Sequence, residues 1–299
     1  MERFTGNPIL RPIEEHPWES REVFNTAAIY LNGKVHLLYR AMGNDNISRI
    51  GYASSTDGFH IDERLPNPIY EPRAECEKDG CEDPRITQID GDLIMAYTAL
   101  REYSHLQVYQ IALTTITGND FLERKWNWTN RHLPFPGIRN KDGVIFPQKV
   151  NGRYVMLNRI EPDLCIAYSE DLAHWCDLMS VMTPAAGGWD NWKIGVAGTP
   201  MKINEGWLVI YHGVSVERLY SLGIVLLDSD HPERVLYRSK TPILAPKEDY
   251  ERFGKVPNVI FSCGNVVIGD KVFLYYGAAD SVVCVATVEL NQLLSFIRR

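Results

Sequence analysis

The chain is predicted to be all-β, a five-bladed β-propeller with a short C-terminal helix, and three observations carry that expectation. Tight-turn tetrapeptides recur at wide intervals, strand-like runs follow each of them, and helical periodicity is confined to the C-terminus. The turns are Leu31-Asn32-Gly33-Lys34, Ile89-Asp90-Gly91-Asp92, Val150-Asn151-Gly152-Arg153, Ile203-Asn204-Glu205-Gly206 and Ile268-Gly269-Asp270-Lys271, with their glycines 58, 61, 54 and 63 residues apart. Asn-Gly and Asp-Gly between apolar runs favour two-residue hairpin loops, because both positions accept a positive φ.

The first unit has strand-like runs at residues 35–40 and 48–54, the second at 93–98 and 106–114, and the third at 154–159 and 164–169. The fourth has them at 208–212 and 221–227, and the fifth at 272–277 and 281–288. An antiparallel meander repeated five times without helical crossovers is the pattern of propeller blades. A pair of β-sandwich domains is the alternative, disfavoured because the unit recurs five times with no linker, so residues 1–299 are read as a single domain. Residues 289–299 carry Leu290, Leu293, Leu294 and Ile297 on one helical face.

With 299 residues, 45% of them hydrophobic and 23% charged, the chain can bury a sizeable core and is not a disordered or fibrous sequence. Thirty-one Lys and Arg against 38 Asp and Glu give a net charge of −7, which argues against a coat for nucleic acid or anionic membrane and for a small partner. The start is polar and broken by Pro8 and Pro12, and no apolar run approaches the roughly 18 residues of a membrane span. A soluble, cytoplasmic protein is expected. Six cysteines occur without a C-x-x-C pair and are expected to be reduced; only Cys76 and Cys81, in a polar loop, are placed to bridge. Zinc spacings, G-x-S-x-G, Walker and G-x-G-x-x-G motifs are all missing, so neither a metal nor a cofactor is expected.

In a propeller the innermost strands flank a central channel, so polar residues at equivalent strand ends converge although far apart in sequence. Those positions hold Asn25 and Thr26, Glu82-Asp83-Pro84-Arg85, Lys141-Asp142, Gly198-Thr199-Pro200 and Ser262-Cys263-Gly264-Asn265. Neighbouring strand ends add Arg40, Thr98, Asn158, Arg159, His212 and Asp280. Asp83 is the candidate general acid, a role that requires burial or nearby negative charge such as Glu82 or Asp280 to retain its proton. Its bland alternative is a turn cap paired with Arg85. Lys141, Arg159, Lys193 and His212 together suggest an anion cradle, although singly each reads as a surface cation. Tyr39, Tyr97, Tyr211, Tyr220, Tyr275, Tyr276, Trp189 and Trp192 suit either sugar faces or the core.

At these residues the chain resembles glycoside hydrolase family 130, the inverting β-mannoside phosphorylases and related mannosidases. The resemblance spans nearly the whole chain. It rests on Asn25-Thr26-Ala27-Ala28, Leu38-Tyr39-Arg40-Ala41, Ser48-Arg49-Ile50-Gly51-Tyr52-Ala53, Cys81-Glu82-Asp83-Pro84-Arg85-Ile86-Thr87, Lys141-Asp142 with Phe146-Pro147, Asn158-Arg159, Tyr211-His212-Gly213 and Tyr220-Ser221-Leu222-Gly223. It implies a five-bladed propeller in which Asp83 is the catalytic acid, its proton relayed through the 3-hydroxyl of the bound mannose. It further implies that Asn25, Arg40, Arg49, Glu82 and Asp280 bind substrate, and that Lys141, Arg159, Lys193, His212 and Tyr220 bind phosphate.

One acid among many cations suits phosphorolysis. Inverting hydrolysis needs a second carboxylate to activate water, whereas phosphate is already an anionic nucleophile that needs positioning. The expected reaction takes a β-mannoside, most readily a β-1,2-linked oligosaccharide, and inorganic phosphate to α-mannose 1-phosphate and a shortened acceptor. Alternatives are β-1,4-manno-oligosaccharide or mannosyl-N-acetylglucosamine phosphorolysis, an inverting β-mannosidase, a furanosidase-type hydrolase, and a glycan-binding propeller without catalysis. Acceptor choice is assigned to residues 71–80, 102–105 and 184–191, and a homo-oligomer is expected.

Overall fold

The computed structural model describes residues 1–103 and 106–297. After β1 (Glu2–Arg3), the first meander comprises β2 (Glu22–Leu31), β3 (Lys34–Met42), β4 (Ser48–Ser55) and β5 (Glu63–Arg64). The second comprises β6 (Gly80–Ile89), β7 (Asp92–Tyr103), β8 (Leu106–Thr117) and β9 (Thr129–His132). The third is β10 (Lys141–Ile145), β11 (Tyr154–Ile160), β12 (Asp163–Ser169) and β13 (Trp175–Met182). In the fourth, the inner strand is broken into β14 (Lys193–Val196) and β15 (Met201–Ile203), both paired with β16 (Gly206–Val214), and followed by β17 (Tyr220–Leu227) and β18 (Val235–Arg238). The fifth is β19 (Ile260–Ile268), β20 (Lys271–Ala278) and β21 (Val282–Glu289), completed by β1 pairing with β21. A single parallel bridge between Ser48 and Gly80 joins the first two meanders.

All five expected turns connect the first two strands of their unit, and Asn32, Gly33, Asp90, Gly91, Asn151 and Gly152 have positive φ. At those three glycines a Cβ would meet nothing within 4 Å, so backbone conformation rather than crowding selects the residue. The C-terminal helix spans Leu290–Ile297. Two helices that the sequence did not announce, Gly118–Leu122 and Asp249–Arg252, are each little more than one turn, too short for a periodic signal.

Successive strand residues point to opposite faces, and here both faces are apolar. In β3, Leu38 packs toward the second meander while Leu37 and Tyr39 pack toward the fifth. Further apolar clusters fill the spaces between the second and third meanders (Leu113, Met156), the third and fourth (Leu157, Val209), and the fourth and fifth (Ile210, Leu274). Each fully buried aliphatic side chain contributes roughly 1.5–3 kcal/mol, so these five interfaces hold the molecule together. Leu293 and Leu294 of the terminal helix cover the interface between the fourth and fifth meanders.

Four meanders share a buried polar device: a middle-strand tyrosine donates to a carboxylate from a distant segment. The pairs are Tyr39 with Glu19, Tyr97 with Glu77, Tyr211 with Asp190 and Tyr276 with Glu251. Arg64, Arg131, Arg238 and Arg3 respectively balance those carboxylates. Together with Tyr275, these tyrosines are fully buried, so they belong to the core and not to a sugar platform. The six cysteines are free, Cys76 and Cys81 included. Among the described residues no helix is long and apolar enough to cross a membrane.

Candidate active site

The inner strands of four meanders bulge at equivalent places: around Asn25 in β2, Asp83 in β6, Asp142 in β10 and Cys263 in β19. A bulge adds a residue and re-aims its side chain. Asn25, Asp83 and Asp142 adopt φ of 46°, 49° and 58°, a left-handed conformation that Asn and Asp tolerate better than most residues. The repeated Asn or Asp at the start of the inner strand is therefore a backbone requirement that also presents a polar group.

Eight of the residues expected at the site line one cavity of about 170 Å³: Asn25, Arg40, Asp83, Lys141, Arg159, Lys193, Tyr220 and Asp280. All five meanders contribute, and Val256, Val259 and Phe261 supply the apolar wall. The volume lies below the roughly 300–1,000 Å³ of pockets for drug-sized ligands, which suits small polar ligands. A larger cavity of about 280 Å³ opens at the opposite ends of the same strands, beside Ala28, Thr87, Pro147 and Thr199, but it is lined by no carboxylate, imidazole or cation. The titratable groups gather at the smaller cavity.

Asp83 is 3% exposed; its Oδ1 accepts from Asn25 Nδ2 at 2.9 Å and from Arg40 Nη1 at 3.1 Å. Burial pushes its pKa up, but Arg40, Lys141 and the Asn25 bond outweigh that effect, so it lies below the ordinary carboxylate value. The expectation of a proton retained on Asp83 by Glu82 and Asp280 therefore does not hold: its neighbouring cations favour the charged form. Glu82 instead pairs with the same Arg40. Asp280, beside them, is the carboxyl that is raised: burial, opposed by Arg40 and reinforced by Asp83, pushes it up to about 6. Arg85 does not cap Asp83's carboxylate. It donates to the backbone oxygens of Asp83, Val196 and Ala197, tying the second meander to the fourth.

On the other side of the cavity, Asp142 is fully buried between cations. Its Oδ2 lies 3.1 Å from Arg159 Nη1 and 3.5 Å from His212 Nε2, and its Oδ1 lies 3.4 Å from Arg85 Nη2. Burial raises its pKa, but Arg159, Arg85 and His212 hold it well below the usual range. His212 sits behind the cavity wall against Phe261, with ring centroids 4.5 Å apart. Burial lowers its pKa far below that of free imidazole, Asp142 opposing and Arg159 reinforcing the effect, so it is neutral. Arg159 Nη1 must donate to His212 Nε2 at 3.0 Å, which leaves the ring proton on Nδ1. Lys193 Nζ bonds Glu161 Oε1 at 3.2 Å, and Lys141 Nζ lies over the Tyr109 ring at 5.4 Å.

Several polar atoms at this cavity or behind its wall are buried without a protein partner: Asn25 Oδ1, Arg159 Nε and His212 Nδ1. Buried polar groups are rarely left unpaired, so a polar ligand or water is expected to complete them. Three candidates are placed elsewhere: Thr199 and Asn265, expected at the same funnel, line the opposite cavity, and Arg49 lies outside both. It pairs with Asp45 and Glu71 and borders two adjoining depressions, one of them edged by Arg73 and Lys78. Of the loops expected to choose the acceptor, residues 71–80 include part of that depression's edge, residues 184–191 pack Trp189 against Tyr211, and Ser104 and His105 lie outside the described residues. Glu161 and Phe261 were not singled out from sequence, and Asp142, placed like Asn25 and Asp83 in the repeat, was named there only as part of a converging strand end and of a family motif, without a role of its own. Among the described residues no cluster of His, Cys, Asp and Glu could hold a metal ion.

A family model for glycoside hydrolase family 130, described as beta-1,4-mannooligosaccharide phosphorylase, matches residues 1–299. Among curated proteins, a 1,2-beta-oligomannan phosphorylase of Thermoanaerobacter sp. (strain X514) is 42% identical over 300 residues, covering 98% of each chain. A beta-1,2-mannobiose phosphorylase from the same strain is 41% identical over 308 residues, also covering 98% of each. Among solved structures, the beta-1,2-mannobiose phosphorylase of Listeria innocua in complex with beta-1,2-mannobiose superposes with a TM-score of 0.86 at 27% identity, covering 99% of each chain.

Proposed function

The chain belongs to glycoside hydrolase family 130, and from that premise we propose that it is an inverting phosphorylase of β-mannosides, preferring β-1,2-linked manno-oligosaccharides. One observation carries the reading: a buried carboxylate at Asp83 shares a single small cavity with Lys141, Arg159, Lys193 and Tyr220. The five interfaces between successive meanders, with the last packed on the first, support a single five-bladed propeller domain. Six free thiols support a reducing, cytoplasmic setting.

In this reading Asn25, Arg40 and Asp280 hold the mannose ring beside Asp83, with Glu82 fixing Arg40 and Arg49 reaching the acceptor from the rim. Lys141, Arg159, Lys193 and Tyr220 hold phosphate, with His212 supporting Arg159 from behind. A phosphate oxygen attacks the anomeric carbon from the face opposite the leaving group, and the bond from that carbon to the glycosidic oxygen breaks. The departing oxygen takes a proton from Asp83 by way of the mannose 3-hydroxyl. Hydrogen phosphate loses a proton on becoming a phosphate ester, so the acid is restored without an added reductant or base. No second carboxylate is required, because fixed cations position a nucleophile that is already charged.

The arrival of phosphate also resolves the low pKa of Asp83. Lys141 is among the groups that depress it, and an oxyanion bound against Lys141 offsets that cation and favours the protonated acid. The direct test is incubation with β-1,2-mannobiose with and without phosphate. The expected products are α-mannose 1-phosphate and mannose, formed only with phosphate; free mannose alone, at a rate indifferent to phosphate, overturns the reading.

A further inference from the structure

We propose that Glu161 is the displaceable counter-anion of the phosphate cradle, a residue that weakens phosphate binding and sets the affinity of the site. The proposal rests on the phosphorylase reading. Glu161 occupies the two-residue turn between β11 and β12, where Ile160 pairs with Asp163. Its Oε1 lies 3.2 Å from Lys193 Nζ and 3.5 Å from Arg159 Nη2, so one carboxylate oxygen spans two cations of the cavity wall.

Two carboxylates therefore share Arg159, and they differ in accessibility. Asp142 is fully enclosed, whereas the Glu161 side chain is 42% exposed. The turn backbone beneath Glu161 is fixed, because Ile194 N–H donates to Pro162 O at 3.0 Å. Only the side chain is free to rotate into solvent, and a half-exposed carboxylate is rehydrated there at little cost. Asp142 has no such exit and remains as a permanent strut.

An incoming phosphate seeks the same N–H donors that Glu161 occupies. Either Glu161 withdraws, giving up its bonds to Lys193 and Arg159, or it stays and two anions share one small site. Both outcomes oppose binding, the first by lost ion pairing and the second by like-charge repulsion. The product, a sugar phosphate, meets the same opposition, so Glu161 favours its release. A residue that merely braced Lys193 would act in the opposite direction.

The test is Glu161→Gln, which keeps the shape of the side chain and removes its charge. The phosphate KM is expected to fall about tenfold, or about 1.4 kcal/mol, with a matching fall in the inhibition constant of α-mannose 1-phosphate. The KM for β-1,2-mannobiose serves as the internal control. Glu161→Ala, read by calorimetry with inorganic phosphate alone, is expected to bind tighter as well. A phosphate KM that is unchanged or raised, in a protein whose wild type depends on phosphate, overturns the role of Glu161. Wild-type turnover indifferent to phosphate overturns the parent reading instead.

Discussion

Asn25 Nδ2 donates to Asp83 Oδ1 across 2.9 Å, and both residues stand in the left-handed conformation at bulges of consecutive inner strands. The bond holds one oxygen of the buried carboxylate, and Arg40 fixes the same oxygen from another side. Replacing Asp83 with Asn retains volume and tolerance of positive φ while removing the transferable proton. Turnover is expected to fall by about 10²–10⁴-fold, the usual contribution of a positioned general acid. Sugar binding, followed by calorimetry or by quenching of Trp fluorescence, should persist. A loss smaller than tenfold would assign the acid to another residue.

Arg40 and Lys141 depress the pKa of Asp83, so an anion in the cradle should return it toward the acid form. Sulfate is a suitable probe because it does not titrate in the relevant range. Carbon-13 spectra of labelled aspartate carboxyls, followed through a pH titration with and without sulfate, should show the Asp83 resonance titrating at higher pH when sulfate is bound. The same titration without any displacement would separate the cradle from the acid electrostatically and remove the basis for proton retention on phosphate binding.

Asp280 should make stability depend on pH in the sense opposite to most carboxylates. Its folded pKa of about 6 exceeds its ordinary value of 3.8, so its contribution is fully present below pH 3.8 and is lost as the pH rises through 6. A shift of that size corresponds to at most about 3 kcal/mol at neutral pH. Asp280→Asn should therefore melt at a higher temperature than wild type at pH 7.5, with the difference closing by pH 4. Activity should fall at the same time, since the strained charge sits where the sugar ring is expected. Equal melting temperatures at pH 7.5 would show that the carboxyl is not held against its preference.

The turns, the two following strands of every unit and eight of the cavity residues were legible in the sequence because they are local or repeat at one interval. Asn32-Gly33 announces its own hairpin, and Arg40, Arg159 and His212 stand at matching strand ends. What was hidden depends on partners supplied from a distance. Tyr39 and Tyr97 read equally as sugar platforms or core until Glu19 and Glu77, each 20 residues earlier, are seen to accept from them. Arg85 looked like a partner for Asp83's carboxylate, but the bulge turns it toward Val196 and Ala197, over 110 residues away. Glu161 follows Arg159 by two residues, yet nothing local tells that Lys193 comes to the same oxygen. Arg49 lies in a recognisable motif, but strand alternation sends it to the face away from Ser48, whose hydroxyl accepts from Arg40.

Gly195 offers the sharpest test of whether the Asp142 network positions the phosphate cations. It pairs with His212 across β14 and β16, and a Cβ there would lie 2.6 Å from Asp142 Oδ2 and 2.5 Å from His212 Cε1. Backbone conformation does not demand glycine at this position, since no positive φ occurs there; only the close approach of Asp142 to His212 does. In Gly195→Ala the added methyl must push these two side chains apart, and Arg159, bonded to both, moves with them. Overpacking of this kind costs about 1–3 kcal/mol, measurable as a lower urea midpoint with an unchanged slope. Displacement of the guanidinium should raise the phosphate KM by an order of magnitude or more, while the KM for mannobiose, whose proposed site is around Asn25 and Arg40, should change little. If both Michaelis constants rise together in proportion to lost stability, the effect is general loosening of the fold; if the phosphate KM stays at the wild-type value, Asp142 and His212 do not govern where Arg159 sits.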